Sequence, residues 1–268
     1  MTEESPQIKE PQSRDAAHWA PRIDTLTVGA VPDGAVNINV QGRRVVGALQ
    51  GFGQLWQKTY RIKLTGAQVT PVELIRMWKE HFPEFWPKGN HFYPSITGVA
   101  PGEVALLQLA MPGGMPLNTG MLVIYADDEA FTLMTPQGHM ESGWITFSAY
   151  EEDGCTIAQV QSIARANDPI YEFGFLLFAH RRQERFWHDT LRALAAHYDG
   201  AEAVTMEKTC VDRRWQWRET RNIWQNAAIR TTIYIVTTPV RKLRAGRGRT
   251  DSNAPAHRDA ADDESGRR

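Results

Sequence analysis

The sequence predicts an α+β domain: a curved antiparallel sheet of about seven strands around a long C-terminal helix, plus a small accessory extension. Three observations carry this. Strand-like runs at 91–97, 103–110, 119–126, 129–135, 143–151 and 155–165 follow one another with turn signals, and no helix, between them. Parallel strands would need crossover helices, so these runs form an antiparallel meander. After them, Asp168-Pro169 opens an amphipathic segment that Gly200 closes, long enough to cross the sheet. Upstream, a strand with strict alternation precedes a short, well-capped helix.

That upstream strand is Leu55 to Leu64, where Trp56, Lys58, Tyr60, Ile62 and Leu64 alternate with Gln57, Thr59, Arg61 and Lys63. A period of two marks a half-buried strand. In the short helix Thr70 is the N-cap, Pro71 takes the first helical position and Glu73 completes a capping box, with Val69 and Leu74 placed as a hydrophobic staple. Its apolar face is Leu74, Ile75, Trp78 and Phe82, and Pro83 ends it. The meander is punctuated by Pro101-Gly102, Pro112-Gly113-Gly114, Asp127-Asp128, Pro136-Gln137-Gly138 and Asp153-Gly154. On the long helix, Phe173, Leu177, His180, Glu184, Trp187, Leu191, Leu194 and Tyr198 fall on one stripe at spacings of three and four, and Arg181, Arg182, Arg185, Asp189 and Arg192 lie off it. Its first half, Ile170 to Ala179, is apolar nearly all round and is expected to be buried from more than one side.

With 268 residues, 42% hydrophobic and 23% charged, the chain has the composition of a soluble globular protein and can bury a sizeable core. A net charge of -1 gives no overall preference for acidic or basic partners, and no nucleic acid is expected as one. Nine tryptophans are many, and suit a core, pocket walls or interfaces. Cys155 and Cys210 cannot build a disulfide framework or a four-sulfur metal site, which fits a reducing cytoplasm. Residues 1–15 have no signal-peptide pattern, and the longest uncharged run, Val104 to Ala126, is broken by Pro112, Gly113, Gly114 and Pro116. Residues 1–20 and 244–268 have the composition of unfolded tails, leaving accessory strands in 21–54, the sheet-and-helix domain in 55–200 and a Trp/Arg-rich extension in 201–243. Arg241, Lys242, Arg244, Arg247 and Arg249 make the start of the C-terminal tail basic.

In element order, from Leu55 to Tyr198, the chain resembles the SRPBCC, or START-like, helix-grip superfamily of polyketide cyclases, lipid-transfer domains and plant pollen-allergen relatives. Gly138-His139-Met140-Glu141-Ser142-Gly143 and Leu26-Thr27-Val28-Gly29-Ala30 are similar to stretches of an uncharacterised family of that superfamily, with Met140 where that family has proline. The resemblance implies a cavity between sheet and long helix suited to lipids, polyketides or other apolar molecules. It does not imply catalysis, because carriers, sensors and enzymes share the scaffold.

Two His/Glu pairs could carry acid–base chemistry. His139 and Glu141, two apart in extended chain, point to one side and are the candidate catalytic residues; the alternative is a turn stabilised by polar side chains. His180 and Glu184 are an i, i+4 pair on the apolar stripe, placed to hold a polar ligand head or to act as acid and base. No known metal-motif spacing accompanies them, so no metal and no cofactor is expected. Trp56, Tyr60, Tyr93, Tyr125 and Trp144 are candidate pocket walls with Phe173 and Leu177, although a one-residue change of register reverses the facing of any strand residue. Nucleophile-elbow, phosphate-loop, dinucleotide-fingerprint and zinc-protease motifs are absent.

After the helix, Val204–Val211 and Ile229–Val236 are strand-like and could pair with Ile23–Val28 and Ala35–Val40 in an accessory sheet. Between them Arg213, Arg214, Trp215, Trp217, Arg218, Arg221 and Trp224 alternate cation and ring, packed on the domain or offered to a membrane or protein partner. The expected function is binding of an apolar small molecule, lipid- or polyketide-like. The alternatives are a cyclase or dehydratase using the His/Glu groups, and an interaction module acting through the Trp/Arg segment.

Overall fold

The computed structural model describes residues 16–65, 68–111, 113–176, 180–200 and 203–250. Its elements are β1 (Leu55–Leu64), α1 (Pro71–Glu80), β2 (His91–Tyr93), β3 (Val104–Ala110), β4 (Pro116–Ala126), β5 (Ala130–Met134), β6 (Glu141–Glu152), β7 (Cys155–Ala166), α2 (Pro169–Gly174), α3 (His180–His197), β8 (Thr205–Asp212) and α4 (Ala227–Thr250). The strands form one eight-stranded antiparallel sheet ordered β2-β3-β4-β5-β6-β7-β1-β8. The meander is therefore present, with β1 paired beyond β7 and the long helix following directly, which is the helix-grip order. Residues up to Thr231 form one compact unit and Thr232–Arg268 a second.

Local chemistry explains where the helices start. The Thr70 hydroxyl accepts the Glu73 N–H and the Glu73 carboxylate accepts the Thr70 N–H at 2.9 Å, so the capping box is closed. The face it fixes buries Leu74, Ile75 and Trp78. Asp168 caps α2 by accepting from Ile170 N at 2.9 Å and Tyr171 N at 3.1 Å. Beyond α2 the chain makes a wider π-type turn at 175–176 before α3. The two segments therefore do not present one continuous stripe. Tyr171 and Phe175 pack with Ala166 and Ala228, whereas Ile170, Phe173 and Leu176 are exposed, contrary to burial from several sides.

The helix-facing side of the sheet holds the main core. Phe131 and Phe147 stack at 4.7 Å, Phe82 meets Phe147 edge-on at 4.9 Å and Trp78 meets it at 5.4 Å. Leu191, Leu194 and Ala195 of α3 are fully buried in this cluster. The protein's own rings thus fill the middle of the space between sheet and helices. The back face carries a second core of Leu26, Val40, Leu106 and Leu122. Gly120 is required there, because a Cβ would lie 2.7 Å from a Val40 methyl.

Three expectations about the flanking segments are corrected. Ile23–Val28 and Ala35–Val40 are not strands; Leu26 exchanges backbone bonds with Arg43 and Gly42 within its own segment, and the apolar side chains pack on the back of the sheet. The run at Val204–Val211 is a strand, β8, but it pairs with β1, whose outer edge would otherwise be open. Ile229–Val236 is helical: the Asn226 side chain accepts from Ala228 N at 3.0 Å and Ile229 N at 3.1 Å, a helix cap that outweighs β-branched composition. Helix α4 also runs into the segment from 244 whose composition is that of an unfolded tail.

Candidate functional site

Strand register decides which side chains meet the helices. Lys58 pairs with Ser162 and Lys208, and Tyr60 with Val160 and Met206. Val160 in turn pairs with Phe147, a residue of the main core. Alternation therefore puts Trp56, Lys58 and Tyr60, together with Glu141 at the start of β6, on the helix-facing side.

A lysine on that side is costly, and the structure builds around it. Lys58 is 2% exposed. Its ammonium donates to Gln183 Oε1 of α3 at 2.5 Å and lies 4.0 Å from Glu184 Oε1. The Gln183 amide nitrogen donates to both oxygens of Glu141 at 2.9 Å. A lysine can only donate and a carboxylate only accept, so both neighbours orient the Gln183 amide in the same sense. Burial pushes the Lys58 ammonium down to about 8, against the opposing pull of Glu141 and Glu184. Burial also raises the Glu141 carboxyl, although Lys58 and Gln183 counter it. Glu184 further bonds Lys208 at 3.2 Å, and the Lys208 ammonium sits 4.6 Å over the Trp56 ring. Tyr60 is fully buried beside this group, with its ring 5.8 Å from that of His188 and its hydroxyl without a partner among the described residues. Burial and the Glu184 and Glu141 charges push that hydroxyl well above the usual tyrosine range.

The cluster forms one end of a narrow cleft lined by Trp56, Lys58, Glu141, Arg165, Glu172 and Phe175. Arg165, buried, reaches Asp212 of β8 at 3.3 Å. Glu172 accepts from Gln54 N at 3.2 Å and Trp215 Nε1 at 3.1 Å, and its carboxylate occupies the place a Cβ at Gly53 would take. Burial raises the Glu172 carboxyl, with the two donors opposing. Gly51-Phe52-Gly53 is thus a close-approach turn that lets α2 seat on the sheet. A wider, more open cleft lies at the far end of α3 between Glu73, Arg76, His197 and Asp199; it brings together no comparable buried group.

The candidates chosen from sequence divide accordingly. Trp56 and Glu141 line the cleft; Glu184 lies 4.0 Å from Lys58, and Tyr60 is buried within reach of the Glu184 and Glu141 charges. His139 stands apart in its hydrogen bonding: its Nδ1 accepts the Glu141 backbone N–H at 3.0 Å, a local turn, and burial lowers the ring to about 4, so it is neutral near pH 7. Trp144, Tyr125 and Tyr93 belong to the back face. Trp144 pairs with Ile163 and Met134; Tyr125 lies under Trp19 with ring centroids 4.7 Å apart; Tyr93 packs on the second core. The register shift at Val123/Tyr125 is one reason alternation misplaces Tyr125. Phe173 is 65% exposed on α2. Leu177 lies outside the described residues, and His180 is described only as the first residue of α3.

Sequence reasoning missed Lys58, Gln183 and Lys208. A signal was present for the first: Lys58 occupies an apolar-parity position between Trp56 and Tyr60. Gln183 and Lys208 become visible only once α3 and β8 are docked on β1.

No family model matches the sequence, and no curated protein matches it. Among solved structures, the chain is similar to the di-domain ARO/CYC StfQ from the steffimycin biosynthetic pathway, at 11% identity and a TM-score of 0.44, over 55% of this chain and 51% of that one. It is similar to the KanY protein at 15% identity and a TM-score of 0.42, over 55% of this chain and 99% of that one. Ara h 8.0201 is similar at 12% identity and a TM-score of 0.39, over 54% and 97%. The fold assignment stands on this chain's own strand order, and the site on its own residues.

Proposed function

We propose that the protein binds a small apolar molecule carrying an oxygen acceptor, such as a carboxylate or carbonyl, with the acceptor held at Lys58 and the body against Trp56 and Phe175. The observation that supports this most is a buried ammonium beside a buried, unpartnered tyrosine hydroxyl on one face of β1. Both groups are donors; Lys58 already bonds Gln183, whereas the Tyr60 hydroxyl has no partner among the described residues and its desolvation is uncompensated until an acceptor arrives. Lipid-like acids and polyketide-like carbonyl compounds share this chemistry. The aromatic side chains that fill the centre of the sheet–helix space favour a ligand position at the Lys58 end of α3, by Glu184 and Gln183.

Native mass spectrometry of gently purified protein is expected to show a copurified small molecule. Titration with cis-parinaric acid, a fluorescent polyene carboxylate, tests the head-group contact. Lys58→Met is expected to weaken parinarate binding on the order of 10- to 100-fold, the scale of a hydrogen bond to a charged group, and Tyr60→Phe to weaken it less. The methyl ester, which offers only a neutral carbonyl acceptor, should lose less affinity on Lys58→Met than parinarate does. Absence of any adduct, together with parinarate binding unchanged in Lys58→Met, would overturn the reading.

A second reading is acid–base catalysis of the cyclase or dehydratase type. It is favoured by Lys58 and Glu141, whose proton affinities are both moved toward neutrality and which Gln183 bridges. A Glu141→Gln variant that keeps parinarate affinity yet loses turnover of a polyketide-like substrate would support it; equal turnover would remove it.

A further inference from the structure

Next to the cleft, one end of the first compact unit exposes large apolar side chains among arginines. Trp217 is 66% exposed, Trp224 83% and Trp215 42%, on the segment that links β8 to α4. The exposed face of α2 adds Ile170 and Phe173, the wider turn after it adds Leu176, and the turn before β1 adds Leu49 at 71%. These elements are joined. Trp215 bonds Glu172 of α2, Gln216 N donates to Phe52 O at 2.8 Å, Asn222 donates to Gln50 O at 2.8 Å, and the Phe52 ring packs against both Trp215 and Trp217. The outward position of these side chains is therefore held by the fold.

Within residues 212–224 the exposed charges are arginines, and two of the four, Arg214 and Arg218, pair with carboxylates while Arg213 and Arg221 do not among the described residues. Arg213, Arg214, Arg218 and Arg221 are all exposed. The two carboxylates of this stretch are already engaged: Asp212 by Arg214 and Arg165, and Glu219 by Arg218 at 2.9 Å. Protruding aliphatic and indole side chains with surplus arginine suit the boundary between lipid headgroups and acyl chains. Nucleic acid would use the arginines and rings but has no use for Leu49, Ile170 and Leu176. Among the described residues no helix is long and apolar enough to cross a membrane, so the contact is one of lying on the surface.

We propose that this end docks on an anionic lipid bilayer, with Trp217, Trp224, Phe173 and Leu49 inserted at the interface and Arg213 and Arg221 over acidic headgroups. The proposal stands whether or not the cleft holds a ligand. Docked in this way, the protein turns the cleft's α2 side toward the lipid.

Vesicle co-sedimentation of the full chain tests it, using phosphatidylcholine vesicles with and without phosphatidylserine. Binding is expected with phosphatidylserine, with a blue shift of tryptophan emission, and it should fall with salt. Trp217→Ser/Trp224→Ser is expected to lower partitioning on the order of tenfold or more. Arg213→Gln and Arg221→Gln should each lower it on the order of fivefold. A variant with Arg241, Lys242 and Arg244 changed to Gln removes basic charge from the C-terminal region and is expected to keep the blue shift. The proposal is overturned if the parent ignores phosphatidylserine vesicles, if the tryptophan variant binds as the parent does, or if binding is lost only with the C-terminal basic residues. Binding to single-stranded DNA or RNA that exceeds vesicle binding and depends on the same residues would also overturn it.

Discussion

Replacing Lys58 with methionine should change how stability depends on pH, and the size of the change follows from the site. The ammonium is 2% exposed and is pushed from its ordinary 10.5 to about 8, chiefly by burial. The folded protein therefore disfavours the charged form, and between those values the unfolded chain binds more protons. Stability must rise with pH through that window, by roughly 3 kcal/mol in full at 1.36 kcal/mol for each pH unit. Restricting the measurement to the range from about pH 8 to about pH 9.5 leaves roughly 2 kcal/mol from Lys58 and avoids the titration of unfolded tyrosines near 10. Urea unfolding followed by tryptophan fluorescence at several pH values gives the two curves. The parent is expected to gain stability relative to Lys58→Met by about that amount as the pH rises. Methionine retains most of the apolar stem, so packing is largely preserved. If the parent and variant curves run parallel over this range, the ammonium is not held in a desolvated site, and the donor role assigned to it loses its basis.

The acid limb tests His139 in the same way. Its folded value near 4 lies below its ordinary 6.5, so the parent is expected to lose stability as pH falls through that interval, and His139→Gln to lose roughly 3 kcal/mol less; identical acid limbs would contradict the burial. The Asp168–Asn226 pair joins the caps of α2 and α4 through a bond of 2.9 Å. Asp168→Ala and Asn226→Ala should each cost roughly 2 kcal/mol, with the double variant costing about 1 kcal/mol less than their sum, as read by thermal melts; strict additivity would mean that the caps act independently.

Much of the fold is legible in the sequence because its signals are local. Thr70-Pro71-Glu73 and Asp168-Pro169 each announce a helix start through bonds made within three residues. The alternation of 55–64 needs no distant partner to be recognised. What was misjudged depends on partners far along the chain. Val204–Val211 reads as a strand, but nothing in it says that it will seek β1 instead of the N-terminal pieces. Leu26 and Val40 carry apolar alternation whose purpose is to plug the back face, not to pair. In Ile229–Val236, β-branched residues suggest extended chain, yet Asn226 sits two residues before Ala228 and caps a helix. The site shows the same limit. Glu141 and Glu184 were chosen from local spacing, whereas their shared partners, Lys58 and Gln183, meet only when α3 docks. Tyr93, Tyr125 and Trp144, whose facing the sequence leaves open, lie on the back face, because register and one bulge are not fixed by composition.

The pairing of β8 with β1 gives the site an order of assembly. During synthesis, β1 through β7 can close once residue 166 has emerged, and α3 can dock some thirty residues later. Until β8 arrives, the outer edge of β1 has no ladder partner, Glu184 lacks Lys208, and Trp56 has no cation over its ring. A chain stopped at Gly200, the natural boundary of the grip itself, would present that edge to any neighbouring copy and would lack Lys208, one of the three charges that act on Lys58. The strand that looked like an appendage is thus the last wall of the site to be built, and its arrival covers the outer edge of β1, the strand on which Lys58 stands.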